Sequence, residues 1–171
     1  MAEDFKVTPW EVTGDIDYDV LMKRFGTTPI DEAMIKRIAK YGEVHPMLRR
    51  GIFYSHRDLG WLLDEYDKGN RFYLYTGRGP SGNTHLGHMM PWIFNKWVQD
   101  TFKVKMIFQM TDDEKFLFKD LTLHDTRDMA YENALDFVAL GFDPDNTKII
   151  VDTENIDRLD TIALRGAKKG T

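Results

Sequence analysis

The residue types and spacings best suited to chemistry lie between positions 75 and 88: Tyr75-Thr76-Gly77-Arg78-Gly79-Pro80-Ser81-Gly82-Asn83-Thr84-His85-Leu86-Gly87-His88. This glycine-rich stretch follows an aromatic β-like segment and opens a helical pattern. A turn of that kind offers backbone N–H groups and the positive end of a helix, an arrangement that receives phosphate. Gly77, Gly79 and Gly82 would let backbone and ligand approach closely, and Gly87 would leave a flat floor for a ring. His85 and His88, three apart, fall on one side of a first helical turn, so both imidazoles can face a phosphate. The string is neither a P-loop nor the dinucleotide glycine fingerprint. A His-x-x-His pair also fits an incidental surface pair or half a zinc site, and Arg78 fits either a phosphate contact or a solvated loop arginine. A second run, Gln109–Lys115 (QMTDDEK), ends an apolar β-like segment. Its Asp112-Asp113-Glu114 reads as a metal site or as charge gathered at a helix start.

The elements that must position these residues can be read from patterning. Phe72–Thr76, Lys103–Met110 and Lys148–Val151 have strand character. Between them lie helical patterns over about 87–100, with Met90, Ile93, Phe94, Trp97 and Val98 inward, and about 125–140, with Met129, Ala130, Ala134, Phe137 and Val138 inward. Pro91 is tolerable in a first turn. A further helix covers about 154–169, where Lys168-Lys169 suits the last turn. Strand–helix–strand–helix–strand with short connections predicts an α/β, βαβαβ parallel sheet, one mononucleotide-binding half of a doubly wound fold. Residues 1–70 read as a separate extension before the 71–171 unit. It holds short β pieces at Phe5–Val7 and Trp10–Val12, a helix opened by Thr28-Pro29 and ended by Gly42, and a helix from Ser55 to Asp67. Ser55 is expected as the cap of that second helix, with Leu59, Leu62, Leu63 and Tyr66 as its buried stripe.

Composition narrows the classes. The chain has 171 residues with 23 Lys and Arg against 28 Asp and Glu, a formal charge of −5, so a nucleic-acid partner would need a local patch. Hydrophobic residues make up 42% and aromatics 13%, which argues against a disordered chain. Cysteine is absent, excluding disulfides, thiolate zinc sites and cysteine nucleophiles. No apolar run is long enough to span a bilayer, and Met1–Trp10 does not resemble a signal peptide, so a cytoplasmic chain is expected.

Taken whole, His85-Leu86-Gly87-His88 resembles the HIGH signature of class I aminoacyl-tRNA synthetases. Tyr75–Ser81 (YTGRGPS), Gln109–Lys115, Thr8–Val12 (TPWEV) and Ser55–Asp58 (SHRD) resemble segments of tryptophanyl-tRNA synthetases of the archaeal and eukaryotic type. The resemblance runs from about Val7 to the end. It implies a Rossmann-like catalytic half domain that activates tryptophan with ATP and transfers it to tRNA(Trp). It further implies His85 and His88 as catalytic donors to the triphosphate, and Arg78, Gly79, Pro80, Ser81, Leu86, Gly87 and His88 at ATP. Tyr75, Gln109 and Glu114 would lie at tryptophan, with Lys115 weakly at phosphate. Mg²⁺ would accompany ATP on its phosphates, with no protein-bound metal. The family also implies a homodimer through the catalytic domain, to which Trp92 could contribute or instead cover core, and a hairpin lid over ATP bearing Thr8 and Trp10.

The family pattern is incomplete in two places. The loop between Pro80 and His85 holds four residues where close relatives often carry one more. No KMSKS-like string exists, and Ala167–Thr171 (AKKGT) is not one. The family also uses a second half-sheet and a C-terminal helical domain that reads the anticodon. The expectation is therefore an N-terminal fragment with weak or no activity alone. A binding module derived from a synthetase, and one half of a split enzyme, are the alternatives. An exposed seam on the sheet would favour the fragment or the split half.

Overall fold

The computed structural model describes residues 6–7, 12–14 and 17–169. They fall into two units, Met1–Asn70 and Arg71–Thr171.

In the first unit β1 (Lys6–Val7) pairs antiparallel with β2 (Val12–Thr13). The helix α1 (Tyr18–Phe25) was not anticipated. Asp17 caps it, accepting from the Asp19 and Val20 N–H groups at 2.9 and 3.1 Å, and Gly26 stops it at φ 62°. Thr28-Pro29 does not open a helix but forms β3, antiparallel to β4 (Ser55–His56). The Ile30 N–H donates to the Tyr54 carbonyl at 2.8 Å, so both expected cap residues are drawn into extended pairing. Helix α2 (Glu32–Ile38) starts from Asp31, whose carboxylate accepts the Met34 N–H at 2.8 Å, and it ends before Gly42. A short α3 (Pro46–Arg49) follows. Helix α4 (Leu59–Asp67) has Asp58 before it in place of Ser55. Leu63 is the fully buried member of its stripe, with Leu59, Leu62 and Tyr66 half-buried. Arg37 ties α2 to α4, donating to the Gly60 carbonyl at 3.1 Å and to Asp64 and Asp67 at 2.6 and 3.2 Å.

In the second unit β5 (Tyr73–Arg78), β6 (Lys105–Met110) and β7 (Thr147–Val151) form a parallel sheet in that order. Helix α5 (Leu86–Phe102) joins β5 to β6. After β6 come α6 (Asp112–Phe118), whose first turn holds Asp112, Asp113 and Glu114 as the helix-start reading expected, and α7 (Leu123–Ala139), and α8 (Asp152–Ala167) follows β7. Met106, Phe108 and Met110 alternate into the core beside Trp92, Ala130, Phe137 and Val151, while Ile107 and Gln109 take the other face of β6. Phe108 stacks on Phe137 with centroids 3.8 Å apart, and Trp92 meets Phe108 edge-on at 5.3 Å.

Two helix faces differ from expectation. On α5 the buried residues are Trp92, Gln99 and Phe102, and the expected stripe is only half-buried. Trp92 is thus core, and a contact between chains cannot use it. Gln99 reaches the next crossover, accepting the Asp143 N–H at 2.9 Å and donating to the Thr147 hydroxyl at 3.0 Å. On α7 Val138 is exposed, and Thr126 and Asn133 are buried with Ala130 and Phe137. Pro91 lies in the second turn of α5, so it has no N–H to give the Gly87 carbonyl four residues back. No described helix is long and apolar enough to cross a membrane.

Candidate functional site

The loop between β5 and α5 is held from inside by Arg78. This residue ends β5 at 7% exposure, which rules out a solvated loop arginine. Its guanidinium donates to the Thr84 hydroxyl at 2.6 Å, the Ser81 hydroxyl at 2.9 Å and the Gly82 carbonyl at 3.1 Å. It also lies over the Trp92 ring, 5.6 Å from the centroid. Burial lowers its pKa below the usual guanidinium range without neutralising it. Asn133 secures the same loop from α7, accepting the Ser81 N–H at 3.1 Å and donating to the Gly82 carbonyl at 3.4 Å. Asn133 carried no signal in the sequence beyond its helix phase. Together the two side chains give the loop one shape and place Pro80, Ser81 and Thr84 in it.

Among the glycines from 77 to 87, Gly77, near the end of β5, is the most tightly constrained. A Cβ there would stand 2.6 Å from the Gln109 carbonyl oxygen, so its partner is the neighbouring strand. At Gly79 a Cβ would make ordinary contact with Thr111, and at Gly82 it would meet open space. At Gly87 it would come 3.1 Å from the His85 ring, so a side chain there would press on that imidazole.

His85 and His88 do stand together. Their rings stack with centroids 3.7 Å apart and planes 29° off parallel. The His85 N–H donates to His88 Nδ1 at 3.4 Å, so the proton of a neutral His88 sits on Nε2 and can be donated outward. Burial, then Arg78, then His85 lower the His88 pKa below its ordinary 6.5, so the ring is neutral near pH 7. His85 and Leu86 are exposed at the start of the helix. Imidazole N–H, free backbone N–H and a helix amino terminus are all donors. Such a set fits the phosphates of a nucleotide and leaves a metal ion to ride on those phosphates. On the other flank of the loop an open groove of about 650 Å³ carries Asp125, Asp128, Glu132 and Asp136 from α7, a surface that repels phosphate.

The second cluster lies on the β6 face away from the core. The Tyr75 hydroxyl donates to Gln109 Oε1. Tyr75 and Gly77 alternate onto one face of β5, and Gly77 pairs with Gln109. The missing side chain at Gly77 therefore leaves Tyr75 an open path to Gln109. Gln109 Nε2 donates to both oxygens of Asp152, at 2.8 and 2.7 Å. Asp152 is 4% exposed, and burial, with the Asp113 and Asp112 carboxylates nearby, pushes its pKa up to about 6 despite the hydrogen bond from Gln109. Asp112 is fully buried and accepts the Thr153 N–H at 3.0 Å and hydroxyl at 2.5 Å, fastening α6 to α8. Glu114 is exposed and Lys115 half-buried on α6, and the Tyr75–Gln109–Asp152 chain passes through neither. Asp152 was not anticipated, since a single Asp after a strand has no distinguishing pattern. Among the described residues no group of three or more His, Cys, Asp or Glu could hold a metal ion. Thr8 and Trp10, expected as a lid, lie outside the described residues.

Comparison with known proteins gives one consistent picture. Residues 67–166 match the family model for tRNA synthetases class I (W and Y). The chain is 53% identical over 173 aligned positions to a tryptophan–tRNA ligase of Pyrobaculum calidifontis, covering 100% of this chain and 46% of that protein. It is 49% identical to the tryptophan–tRNA ligase of Sulfolobus acidocaldarius, again over 100% and 46% of the two chains. A solved tryptophanyl-tRNA synthetase from Trypanosoma brucei superposes with TM-score 0.80 at 49% identity, over 82% of this chain and 44% of that one. One from Encephalitozoon cuniculi, bound to tryptophan, gives 0.84 at 42% identity over 91% and 44%. The chain thus spans about half the length of the relatives it matches.

Proposed function

Since the chain belongs to the class I tRNA synthetases (W and Y), we propose that it forms the part of a tryptophan–tRNA ligase that binds ATP and much of tryptophan. Its first unit is the amino-terminal extension, and its second is the first half of the catalytic domain. The single observation that carries this reading is the stacked His85–His88 pair at the start of α5, beside a loop pinned by Arg78.

The reaction needs no enzyme nucleophile. The tryptophan carboxylate attacks the α-phosphorus of ATP, forming the carboxylate–phosphorus bond as the bond to pyrophosphate breaks and pyrophosphate leaves. Catalysis is then positioning and stabilisation of charge on phosphate oxygens. His88, neutral with its proton on Nε2, donates to the triphosphate, and His85 does so beside it. Gly79, Pro80, Ser81 and Leu86 shape the nucleotide's channel, and Gly87 underlies the adenine. Arg78 contributes by fixing the loop from within. Mg²⁺ bound to the phosphates would supply further positive charge there, and Lys115 on α6 would meet them as a weaker contact. Tyr75, Gln109 and Glu114 receive tryptophan.

Transfer to tRNA(Trp), homodimerisation through the catalytic unit and a cytoplasmic location belong to the same proposal for the full-length protein. Among the described residues β5 and β7 each pair on one side only, and Tyr73 and Tyr75 are exposed. Unpaired strand edges of this kind support a part of a larger sheet over a self-contained binding module.

The test is ATP–pyrophosphate exchange. The chain alone is expected to give feeble exchange that requires tryptophan and disappears when His85 and His88 are both replaced by Ala. Exchange without tryptophan, or untouched by the double replacement, would overturn the reading. Full turnover by this chain would overturn the need for a second half.

A further inference from the structure

The Tyr75–Gln109–Asp152 chain has a fixed polarity, and Asp152 sets it. An ionised carboxylate only accepts hydrogen bonds. With both its oxygens on Gln109, it must face the carboxamide nitrogen, which turns Gln109 Oε1 toward Tyr75. That oxygen also only accepts, so the Tyr75 hydroxyl must donate to it. The phenolic proton is thereby committed inward. The exposed side of the Tyr75 oxygen is left with lone pairs alone. The site therefore presents an acceptor to an incoming ligand and has no hydroxyl proton to offer it.

We propose that Asp152 is a positioning residue for the amino-acid substrate, orienting Gln109 so that Tyr75 presents an acceptor to a ligand N–H such as that of an indole. The proposal rests on the functional reading above and extends it to a residue that need not touch substrate. Two further features agree with it. Asp152 lies at the first position of α8, held by Asp112 through the neighbouring Thr153, so the carboxylate cannot drift from Gln109. Charge at this buried position, with Asp112 and Asp113 facing it from α6 and Gln109 from β6, is unfavourable, as the pKa of about 6 records. A purely structural role would be served as well by a neutral residue.

The experiment uses the 171-residue chain, Asp152→Ala and Asp152→Asn. Asn keeps one acceptor oxygen for Gln109, whereas Ala keeps none. Calorimetric titration compares tryptophan with its benzothiophene analogue, in which sulfur replaces the indole N–H, and with ATP. Asp152→Ala should lose about 10-fold in tryptophan affinity with little change for the analogue or ATP, and Asp152→Asn should recover part of that loss. The side-chain amide resonances of Gln109, shifted and protected in the unsubstituted chain, should move to free-amide positions in Asp152→Ala while the rest of the spectrum stays folded. Equal loss of tryptophan and analogue, or a Gln109 amide unmoved by Asp152→Ala, would overturn this inference alone. If the unsubstituted chain does not bind tryptophan, the functional reading is overturned and this inference with it. Should Asp152→Ala fail to fold, Asp152→Asn decides through the same tryptophan-to-analogue ratio, which must fall.

Discussion

Gly77 pairs with Gln109 across the parallel β5–β6 ladder so closely that a Cβ on Gly77 would stand 2.6 Å from the Gln109 carbonyl oxygen. One glycine therefore serves two ends. It lets the strands meet, and it clears the face on which Tyr75 reaches Gln109. Gly77→Ala should force the strands apart. The expected cost is about 1–3 kcal/mol in urea unfolding, with a larger loss in tryptophan binding than in ATP binding. Unchanged stability would show that the close approach relaxes freely.

Arg78 should be irreplaceable by lysine. A lysine keeps the charge but not the fork that reaches Thr84, Ser81 and Gly82 together. Arg78→Lys is expected to destabilise by roughly 2–3 kcal/mol and to weaken ATP binding as the loop loosens. Asn133→Ala, which releases the same loop from α7, should weaken ATP binding in the same direction by a smaller factor. Calorimetric titration with ATP and urea unfolding check both.

Under the proposed function His88 would act through its Nε2 proton, because Nδ1 already accepts the His85 backbone N–H. His88→Gln, which keeps a donor, should retain more pyrophosphate exchange than His88→Ala. The Ala variant should fall by about 10²-fold, the scale of one lost transition-state donor. Equal rates for the two variants would remove the donor role.

Asp152 makes stability depend on pH in an uncommon direction for a carboxyl group. Its folded pKa is raised from 3.8 to about 6, so the native state favours the protonated form. Its favourable share is complete below about pH 3.8 and is lost as pH rises through about 6. Asp152→Asn should therefore be more stable than the unsubstituted chain near pH 7.5, by at most about 3 kcal/mol, with the difference vanishing toward pH 4. Thermal unfolding across that range checks the sign. A variant less stable at neutral pH would show that the carboxylate is favourable where it sits.

The sheet, the crossover helices and the histidine pair were legible because each rests on a local signal. β6 alternates, α5 and α7 have helical period, and His85 and His88 are three residues apart. What was not legible depends on contacts between distant segments. Thr28 and Ser55 look like caps, yet strand pairing between them claims both backbones. Arg78 looks like a surface residue until Trp92, Thr84 and Ser81 close around it. Asn133 and Asp152 sit in ordinary helical sequence, and their partners are 52 and 43 residues away. Trp92 was assignable to core or surface until Phe108 and Phe137 packed against it.

The central claim is that this chain already holds a tryptophan site beside a nucleotide site. Equilibrium dialysis of radiolabelled tryptophan against the chain, with and without a non-hydrolysable ATP analogue, tests it most directly. Saturable binding at one site per chain is the expected result, displaced by unlabelled tryptophan but not by phenylalanine and lost on Tyr75→Ala. No saturable binding up to about 1 mM, a free energy of roughly −4 kcal/mol, would contradict the account.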